Sequence, residues 1–381
     1  MAIGFGLVAA VVLALQAASS VAERSAPAQA TTLNPLNGMA AEQAAFRRFT
    51  ELSDDDVTKL ASSAQAVRAD ALSAYQSEPL TPKALAVLAL ATADAEARGK
   101  IFELATRLNR RDLALQLAAL DHKIKAEDAI GSITTLDQLL RVHPEESARL
   151  FPPLQQALLD TRTQGTFAAL LDGSAPWHER FAMTAVRNED ARLRLAAIRE
   201  DIVVEDEDFD RQLIAGLAAQ GELERARAMY GLVAQKETQG KRQANTLPWR
   251  GDFPPFDWGF VDRRDIRANP NSAGDDLEVF VRPGQGGVIA QRLLTRSELK
   301  DELAIRIEST RPIISGRMRA SLYCGTAEEP VAQIDLSKGD NALEIPELDA
   351  ETCAALRLEL YARAYRGEPV LRARIGRIRL D

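Results

Sequence analysis

The chain has 381 residues, of which 27% are charged, and a formal net charge of −8 at pH 7. This length can hold two or three domains, each large enough to bury a core of its own. The acidic balance argues against nucleic acid as a partner, because neutralising phosphates requires a basic surface. The two cysteines lie far from the three histidines, which argues against a zinc site.

Residues 2–22, AIGFGLVAAVVLALQAASSVA, carry no charge. The stretch is long enough to span a bilayer, and it also fits the apolar region of a secretory signal followed by small residues. We therefore predict that residues 1–22 are a signal peptide or a membrane anchor. The alternative is a buried helix of a soluble domain. Residues 23–39 are rich in Ala, Ser, Thr and Pro, and we predict a flexible, poorly ordered spacer there.

Between residues 40 and 236, apolar residues recur with a period near 3.6, which is typical of amphipathic helices. Helices of about ten to twenty residues alternate with short turns, so we predict stacked helical hairpins that form a solenoid. Thr81 followed by Pro82 fits a helix start, and Gly99, Gly131 and Gly221 fit helix ends. The predicted helices are 55–76, 81–97, 100–108, 110–126, 133–142, 144–159, 177–186, 190–200, 208–219 and 222–235.

The last predicted hairpin, residues 211–235, reads RQLIAGLAAQGELERARAMYGLVAQ. A first helix meets Gly221, and the second helix then has Ala226 and Tyr230 on one face. A small residue where two helices cross, followed by an aromatic residue one turn later, is typical of a tetratricopeptide hairpin. The segment resembles a degenerate tetratricopeptide repeat, so we predict a tetratricopeptide-like array over residues 40–236.

Residues 246–260, TLPWRGDFPPFDWGF, contain two of the three tryptophans and three of the twelve phenylalanines. Three prolines exclude a helix here and favour extended backbone. We predict an inter-domain segment over residues 237–260 whose aromatic side chains dock the next domain onto the last hairpin: Trp249, Phe253, Phe256 and Trp258. The alternative is that Trp249 or Trp258 stacks on a ligand.

From residue 261 the pattern alternates with period 2, and short apolar stretches are separated by Gly, Asn, Asp and Pro turns. We predict an antiparallel, jelly-roll-like β-sandwich over residues 261–381. A bulge at Gly376 would let Ile378 and Leu380 join Leu371 and Ile375 in the core. The predicted strands are 277–282, 288–294, 303–309, 317–324, 331–336, 342–345, 355–365 and 370–380.

Cys324 and Cys353 are predicted to form a disulfide, since two lone cysteines in one small exported domain would pair in an oxidising compartment. Two separate buried thiols are the alternative. Closing a loop of this length would contribute roughly 3 kcal/mol in the chain-entropy model.

Strand 355–365 alternates so that its leucines and alanines face the core, which places Tyr361, Arg363 and Tyr365 outward. A tight turn at Gly367 would then set Arg363 opposite Arg372 and Tyr361 opposite Arg374. Like charges in opposition destabilise a sheet, so this face would suit an anionic partner such as an acidic sugar. The alternative is a solvated face whose tyrosines pack on their neighbours.

Catalytic motifs are absent from the sequence, including a Gly-rich phosphate loop, HExxH and GxSxG. The acidic run at residues 205–210, EDEDFD, could hold a cation, but acids are also favoured where a helix begins. We therefore predict no catalytic residue, no metal and no cofactor.

Two parts of the sequence resemble a known group of proteins. They are the runs from residue 79 to 187, including LFPPLQQALLD and PWHERFAMTAV, and the FPPFDW segment at residues 253–258. The chain is similar to alphaproteobacterial envelope proteins in which a tetratricopeptide-like array precedes a lectin-like β-sandwich. The resemblance implies a periplasmic location, with an inner-membrane anchor unless residues 1–22 are cleaved and the protein is secreted.

We expect a non-enzymatic scaffold whose helical array binds an envelope protein. Its sandwich would bind an acidic polysaccharide or another protein. A role in surface-polysaccharide production is suggested by the resemblance. The alternative is a polysaccharide-modifying enzyme with a site between the two domains.

Overall fold

The computed structural model describes residues 2–54, 56–237, 246–295, 298–299, 301–348, 353 and 355–380, without side chains at 2–11, 57 and 235–237. The chain divides into two compact units, Met1–Trp177 and His178–Asp381. The first unit is helical, and the second contains helices followed by two antiparallel sheets.

Successive helices of the first unit pack on one another around small, alanine-rich cores. One core surrounds Phe49 and the next surrounds Phe102, and alanines at the contacts let the helices approach closely. The helices are α1 (Ala2–Ala22), α2 (Pro27–Leu33), α3 (Gly38–Ser53), α4 (Leu60–Ala66), α5 (Arg68–Ser77), α6 (Pro82–Leu90), α7 (Ala95–Leu108), α8 (Leu113–Lys125), α9 (Ala129–Val142), α10 (Ser147–Leu159) and α11 (Gln164–Leu170).

The predicted spacer at residues 23–39 instead contains α2 and the beginning of α3. The Ser19 hydroxyl donates to the Ala30 carbonyl at 2.8 Å, and the Asn37 amide donates to Ser19 Oγ at 2.9 Å. The expectation of a poorly ordered spacer was therefore wrong. The composition concealed a helix that begins at Pro27, a residue well suited to the first turn.

Two predicted helices, 55–76 and 81–97, are each divided into shorter helices in the structure. The prediction that a helix ends at Gly99 was also wrong. The Asp94 carboxylate accepts a hydrogen bond from the Ala97 backbone at 2.7 Å, which caps the start of α7. The helix therefore begins at Ala95, five residues before Lys100, and Gly99 lies inside α7. Gly131 likewise lies inside α9, whose cap is Asp128.

The second unit follows the start of α12 (Pro176–Ala185) and includes α13 (Glu189–Ala197), α14 (Glu207–Ala219) and α15 (Leu223–Glu237). Gly221, with φ of +83°, makes the turn between α14 and α15, as expected for a left-handed residue after a helix. A buried bidentate ion pair between Arg199 and Asp210 fastens the segment after α13 to α14.

Sheet A contains the strands β1 (Thr246–Leu247), β3 (Ile266–Pro270), β4 (Leu277–Val281), β6 (Glu302–Ser309), β9 (Gly339–Glu344), β11 (Leu371–Ile375) and β12 (Ile378–Leu380). β6 pairs with β9 along one edge and with β11 and β12 along the other; β4 and then β3 continue from β11. β1 pairs with β12.

Sheet B has the order β2 (Gly259–Phe260), β5 (Gln285–Thr295), β10 (Ala355–Ala364), β7 (Met318–Cys324) and β8 (Pro330–Asp335). Apolar residues from both sheets form one shared core, as in a sandwich.

Gly376 separates β11 from β12, and residues on both sides of it are buried. Ile375 pairs with Ile307 on β6, and Arg379 pairs with Ala304. Between these two pairs, the β11–β12 segment advances four residues while β6 advances three, so the segment contains one extra residue. The predicted bulge is therefore confirmed, because the extra residue keeps both apolar sets facing the core. A disulfide joins Cys324 to Cys353, with Cα atoms 5.4 Å apart, as predicted.

Candidate functional site

The predicted ligand-binding residues at the C-terminus lie on two different sheets. β10 lies in sheet B between β5 and β7, whereas β11 lies in sheet A between β4 and β6. Arg363 is opposite Gly286, and Arg372 is opposite Phe280. The predicted oppositions of Arg363 with Arg372 and of Tyr361 with Arg374 were therefore wrong. Alternation predicts which face a residue takes, but a hairpin and a crossing between two layers produce the same alternation.

Arg372 and Arg374 lie on the outer face of sheet A, where they line a groove of about 690 Å³. This volume is within the usual range of small-molecule sites, about 300–1,000 Å³. The groove crosses the strands β3, β4, β11 and the end of β6. It is lined by Arg267, Asn269, Glu278, Val279, Phe280, Glu308, Ser309, Thr310, Arg372, Ala373 and Arg374.

The first row across the groove, called here the arginine row, consists of Arg267, Phe280 and Arg372, which are directly opposite one another on three strands. The Arg267 guanidinium lies 4.9 Å from the centroid of the Phe280 ring, and that of Arg372 lies 5.2 Å from it. Among the described residues, neither guanidinium has a carboxylate oxygen within 4.0 Å. Both side chains are exposed. The arginine row therefore presents two positive charges, both held against one aromatic ring and neither in an ion pair with an acid of the described chain.

The second row, called here the carboxylate row, lies two residues further along the same strands and includes part of β6. Its members are Asn269, Glu278, Arg374 and Glu308, in order across the sheet. Arg374 is 4.0 Å from Glu278 and 3.7 Å from Asp276, so its charge is already balanced. Glu308 lies 3.9 Å from Arg306. The row thus has two carboxylates and one guanidinium.

The strands hold both rows outward because their alternate residues fill the core. In β4, Leu277, Val279 and Val281 are buried, whereas Glu278 is exposed and Phe280 is half-buried. Glu278 and Phe280 could have been recognised from this alternation. Arg267 and Asn269 could not, because β3 is short, ends in Pro270 and was not predicted as a strand.

Tyr361, Arg363 and Tyr365 point outward, as predicted, but on or just beyond β10 of sheet B. Tyr361 is half-buried, and the Arg319 guanidinium lies 5.2 Å from the centroid of the Tyr361 ring. The Arg363 guanidinium lies 4.7 Å from the centroid of the Tyr365 ring. A side chain added at Gly286 would collide with both Arg363 and Tyr361. These side chains therefore pack on the sheet surface and on one another.

The two tryptophans of the aromatic segment are buried in the shared core, with ring centroids 4.6 Å apart. Trp249 is 2% exposed and Trp258 is 0% exposed, so neither ring has a face available to a ligand. Phe256, also buried, contacts Tyr230 of α15 with ring centroids 5.5 Å apart. The segment is thus packed against both the sheets and the last helix. Residues 238–245 of the predicted border lie outside the described residues.

A buried polar cluster lies where α15, the aromatic segment and β5 meet. The Tyr230 hydroxyl donates to Asp257 at 2.9 Å, and Arg227 forms an ion pair with Glu298. Burial, and then the charge of Asp257, raises the pKa of Tyr230 to about 12. Burial also lowers the pKa of Arg292, whose Nε and Nη1 have no hydrogen-bond partner among the described residues. Because most of the cluster is buried, we interpret it as a structural contact that holds α15, the aromatic segment and β5 together, and not as a ligand site.

Within the described residues, no group of three or more His, Cys, Asp or Glu side chains could hold a metal ion. In the acidic run at residues 205–210, Asp206 caps α14 and Asp210 pairs with Arg199. Helix capping and ion pairing account for these two carboxylates.

A scan against models of protein families finds none that matches this chain, and a search of curated proteins also finds no match. In the part of the chain that the structure describes, no helix has both the length and the apolar character needed to cross a membrane.

Proposed function

We propose that this protein is a non-enzymatic scaffold of the bacterial cell envelope that binds an acidic glycan in the sheet A groove. The observation that carries the proposal is the pair of exposed guanidiniums of Arg267 and Arg372, which have no acidic partner among the described residues. Guanidiniums bind carboxylates with two parallel hydrogen bonds, so a uronic acid or a similar acidic sugar matches this donor set.

The rest of the groove also suits a sugar. Carboxylates, an amide and hydroxyl groups line it, and such groups exchange hydrogen bonds with sugar hydroxyls. The half-buried ring of Phe280 adds apolar surface between the two arginines. An acidic peptide would also satisfy the arginines, but it would make less use of the carboxylate row.

The remaining parts of the proposal concern architecture and compartment. The helical first unit and the hairpin α14–α15 are proposed to be tetratricopeptide-like, with a surface for an envelope protein, and the sheets to be a jelly-roll-like, lectin-like sandwich. The disulfide supports an oxidising compartment such as the periplasm. We further propose that residues 1–22 direct export or anchor the chain, and that the protein acts in surface-polysaccharide production.

The test is isothermal titration calorimetry of the full-length protein, purified in mild detergent, with acidic and neutral oligosaccharides at low salt. We expect Arg267→Gln and Arg372→Gln each to weaken binding of an acidic oligosaccharide about tenfold. A hydrogen bond to a charged group contributes about 1.5–3 kcal/mol, and 1.4 kcal/mol corresponds to tenfold. Arg149→Gln, at an exposed site on α10, removes the same charge and should leave binding unchanged.

Three results would contradict the proposal. The first is no binding of any acidic oligosaccharide at low salt. The second is an acidic peptide that binds as tightly as the glycan. The third is a loss in Arg363→Gln as large as in Arg372→Gln, which would place binding on sheet B. Release of shorter products during incubation would instead favour the alternative of a polysaccharide-modifying enzyme.

A further inference from the structure

The two rows of the sheet A groove differ in charge, and this difference bears on which acidic glycan fits. The arginine row has two guanidiniums and no carboxylate, whereas the carboxylate row has Glu278 and Glu308 with Arg374 between them. The charge therefore changes sign along the strands. The inference drawn from this change rests on the function proposed above.

We infer that the groove selects a glycan in which an acidic residue is followed by a neutral one. The acidic sugar lies over the arginine row, and its neutral neighbour lies over the carboxylate row. A glycan made of acidic residues alone is disfavoured.

Repulsion is one part of the selection. An acidic group over the carboxylate row would face Glu278 and Glu308, while the one guanidinium between them, that of Arg374, is already engaged with Asp276 and Glu278. Juxtaposed like charges are an effective means of rejecting a wrong ligand. Arg306, at the next outward position of β6, does not offset this repulsion, because it already lies near Asp340 and Glu308.

Attraction is the other part. Ionised carboxylates only accept hydrogen bonds, and each can accept from two donors. Neighbouring hydroxyls of a neutral sugar supply such donors, and the Asn269 side chain can both donate and accept. The carboxylate row is thus suited to a neutral sugar, whose uncharged ring has several hydroxyls that can donate hydrogen bonds.

The spacing of the rows allows one short glycan segment to contact both of them. Two residues along a strand advance about 7 Å, and a disaccharide is longer than this. A disaccharide lying along β4 and β11 would therefore reach both rows.

The experiment compares two oligosaccharides of equal length by calorimetry with the full-length protein at low salt. One alternates glucuronic acid with N-acetylglucosamine, and the other contains uronic acid only. We expect the alternating chain to bind at least tenfold more tightly, although the homopolymer has twice the charge. Non-specific electrostatic attraction would produce the opposite order.

The double variant Glu278→Gln, Glu308→Gln supplies the second measurement. It should strengthen binding of the homopolymer about tenfold and weaken binding of the alternating chain, which reduces or reverses the preference. The control Glu96→Gln, Glu103→Gln changes the same charge on the exposed surface of α7 and should preserve the preference.

Equal or tighter binding of the homopolymer by the unmodified protein would overturn the inference. So would a double variant that shifts both affinities equally. If binding still depends on Arg267 and Arg372 in those cases, the proposed function stands without the finer assignment. If neither oligosaccharide binds, both are overturned.

Discussion

The hydroxyl of Tyr230 donates a hydrogen bond to Asp257 across 2.9 Å, and this bond joins α15 to the aromatic segment. The second carboxylate oxygen of Asp257 accepts from the backbone N–H of Phe253 at 3.1 Å. One buried carboxylate therefore bonds to both the helix and the segment, which belong to the same compact unit.

Tyr230→Phe should destabilise the second unit by about 1–3 kcal/mol, because it leaves a buried carboxylate oxygen without its donor. Urea unfolding of the full chain, followed by far-ultraviolet circular dichroism, measures the loss. Tyr75→Phe is the matched control, since the Tyr75 hydroxyl has no hydrogen bond in the described part of the chain. Equal stabilities for the two variants would show that the bond to Asp257 contributes nothing.

Asp210→Asn should cost about 3–5 kcal/mol, because it leaves the buried guanidinium of Arg199 without a counter-charge. The native pair is bidentate, with distances of 2.5 and 2.7 Å, and Arg199 also donates to the Ile202 carbonyl. Glu222→Gln breaks the exposed pair with Arg225 and should change stability by less than about 1 kcal/mol. Similar losses in the two variants, measured by urea unfolding, would contradict this account.

Reduction of the Cys324–Cys353 disulfide should destabilise the second unit by about 3.5 kcal/mol in the chain-entropy model, for a sequence separation of 29 residues. Thiol titration of denatured, periplasmically produced protein should find no free thiol before reduction and two after it. Detection of two thiols without reductant would refute the disulfide. The variant Cys324→Ala, Cys353→Ala should match the reduced protein in urea unfolding.

Glu42 should make the first unit less stable as pH rises. Its buried carboxylate accepts from the backbone N–H groups of Lys83 and Ala84 at the start of α6, at 2.6 and 3.3 Å. Burial outweighs these bonds and raises the pKa of Glu42 above its ordinary value of 4.5. A raised folded-state pKa contributes stability below the unfolded value, and the contribution is lost as pH rises through the folded value.

The measurement is urea unfolding of the unmodified protein and of Glu42→Gln at several pH values from 4 upward. The stability of the unmodified protein relative to Glu42→Gln should fall with rising pH. Glu51→Gln, on the exposed side of the same helix, serves as the control. A constant or rising difference for Glu42→Gln would show that the carboxylate is not disfavoured by burial.

Much of the fold follows from periodicity, and the failures have identifiable causes. The predicted helix at 222–235 and the predicted strand at 303–309 agree with α15 and β6 to within two residues. The strands β1, β2 and β3 were missed because they are two to five residues long. Segments this short are defined by the strand they pair with, which local alternation cannot reveal.

The candidate site was only partly predictable for a related reason. Outward positions of Arg372 and Arg374 follow from their alternation with buried Leu371 and Ile375. Their neighbours depend on which strand pairs with β11, and that pairing is a long-range property. The sequence alone therefore could not assign Arg267 to the site; its position opposite Phe280 in the sheet does so.

The distribution of tryptophans makes the two units spectroscopically separable. Trp177 belongs to the first unit, is 1% exposed and donates to Asp137 at 3.1 Å. Trp249 and Trp258 form a contact pair in the second unit. Indole rings this close couple their excited states, so near-ultraviolet circular dichroism should follow the sheets. The fluorescence of a Trp249→Phe, Trp258→Phe variant should report on Trp177 alone, at the end of the first unit.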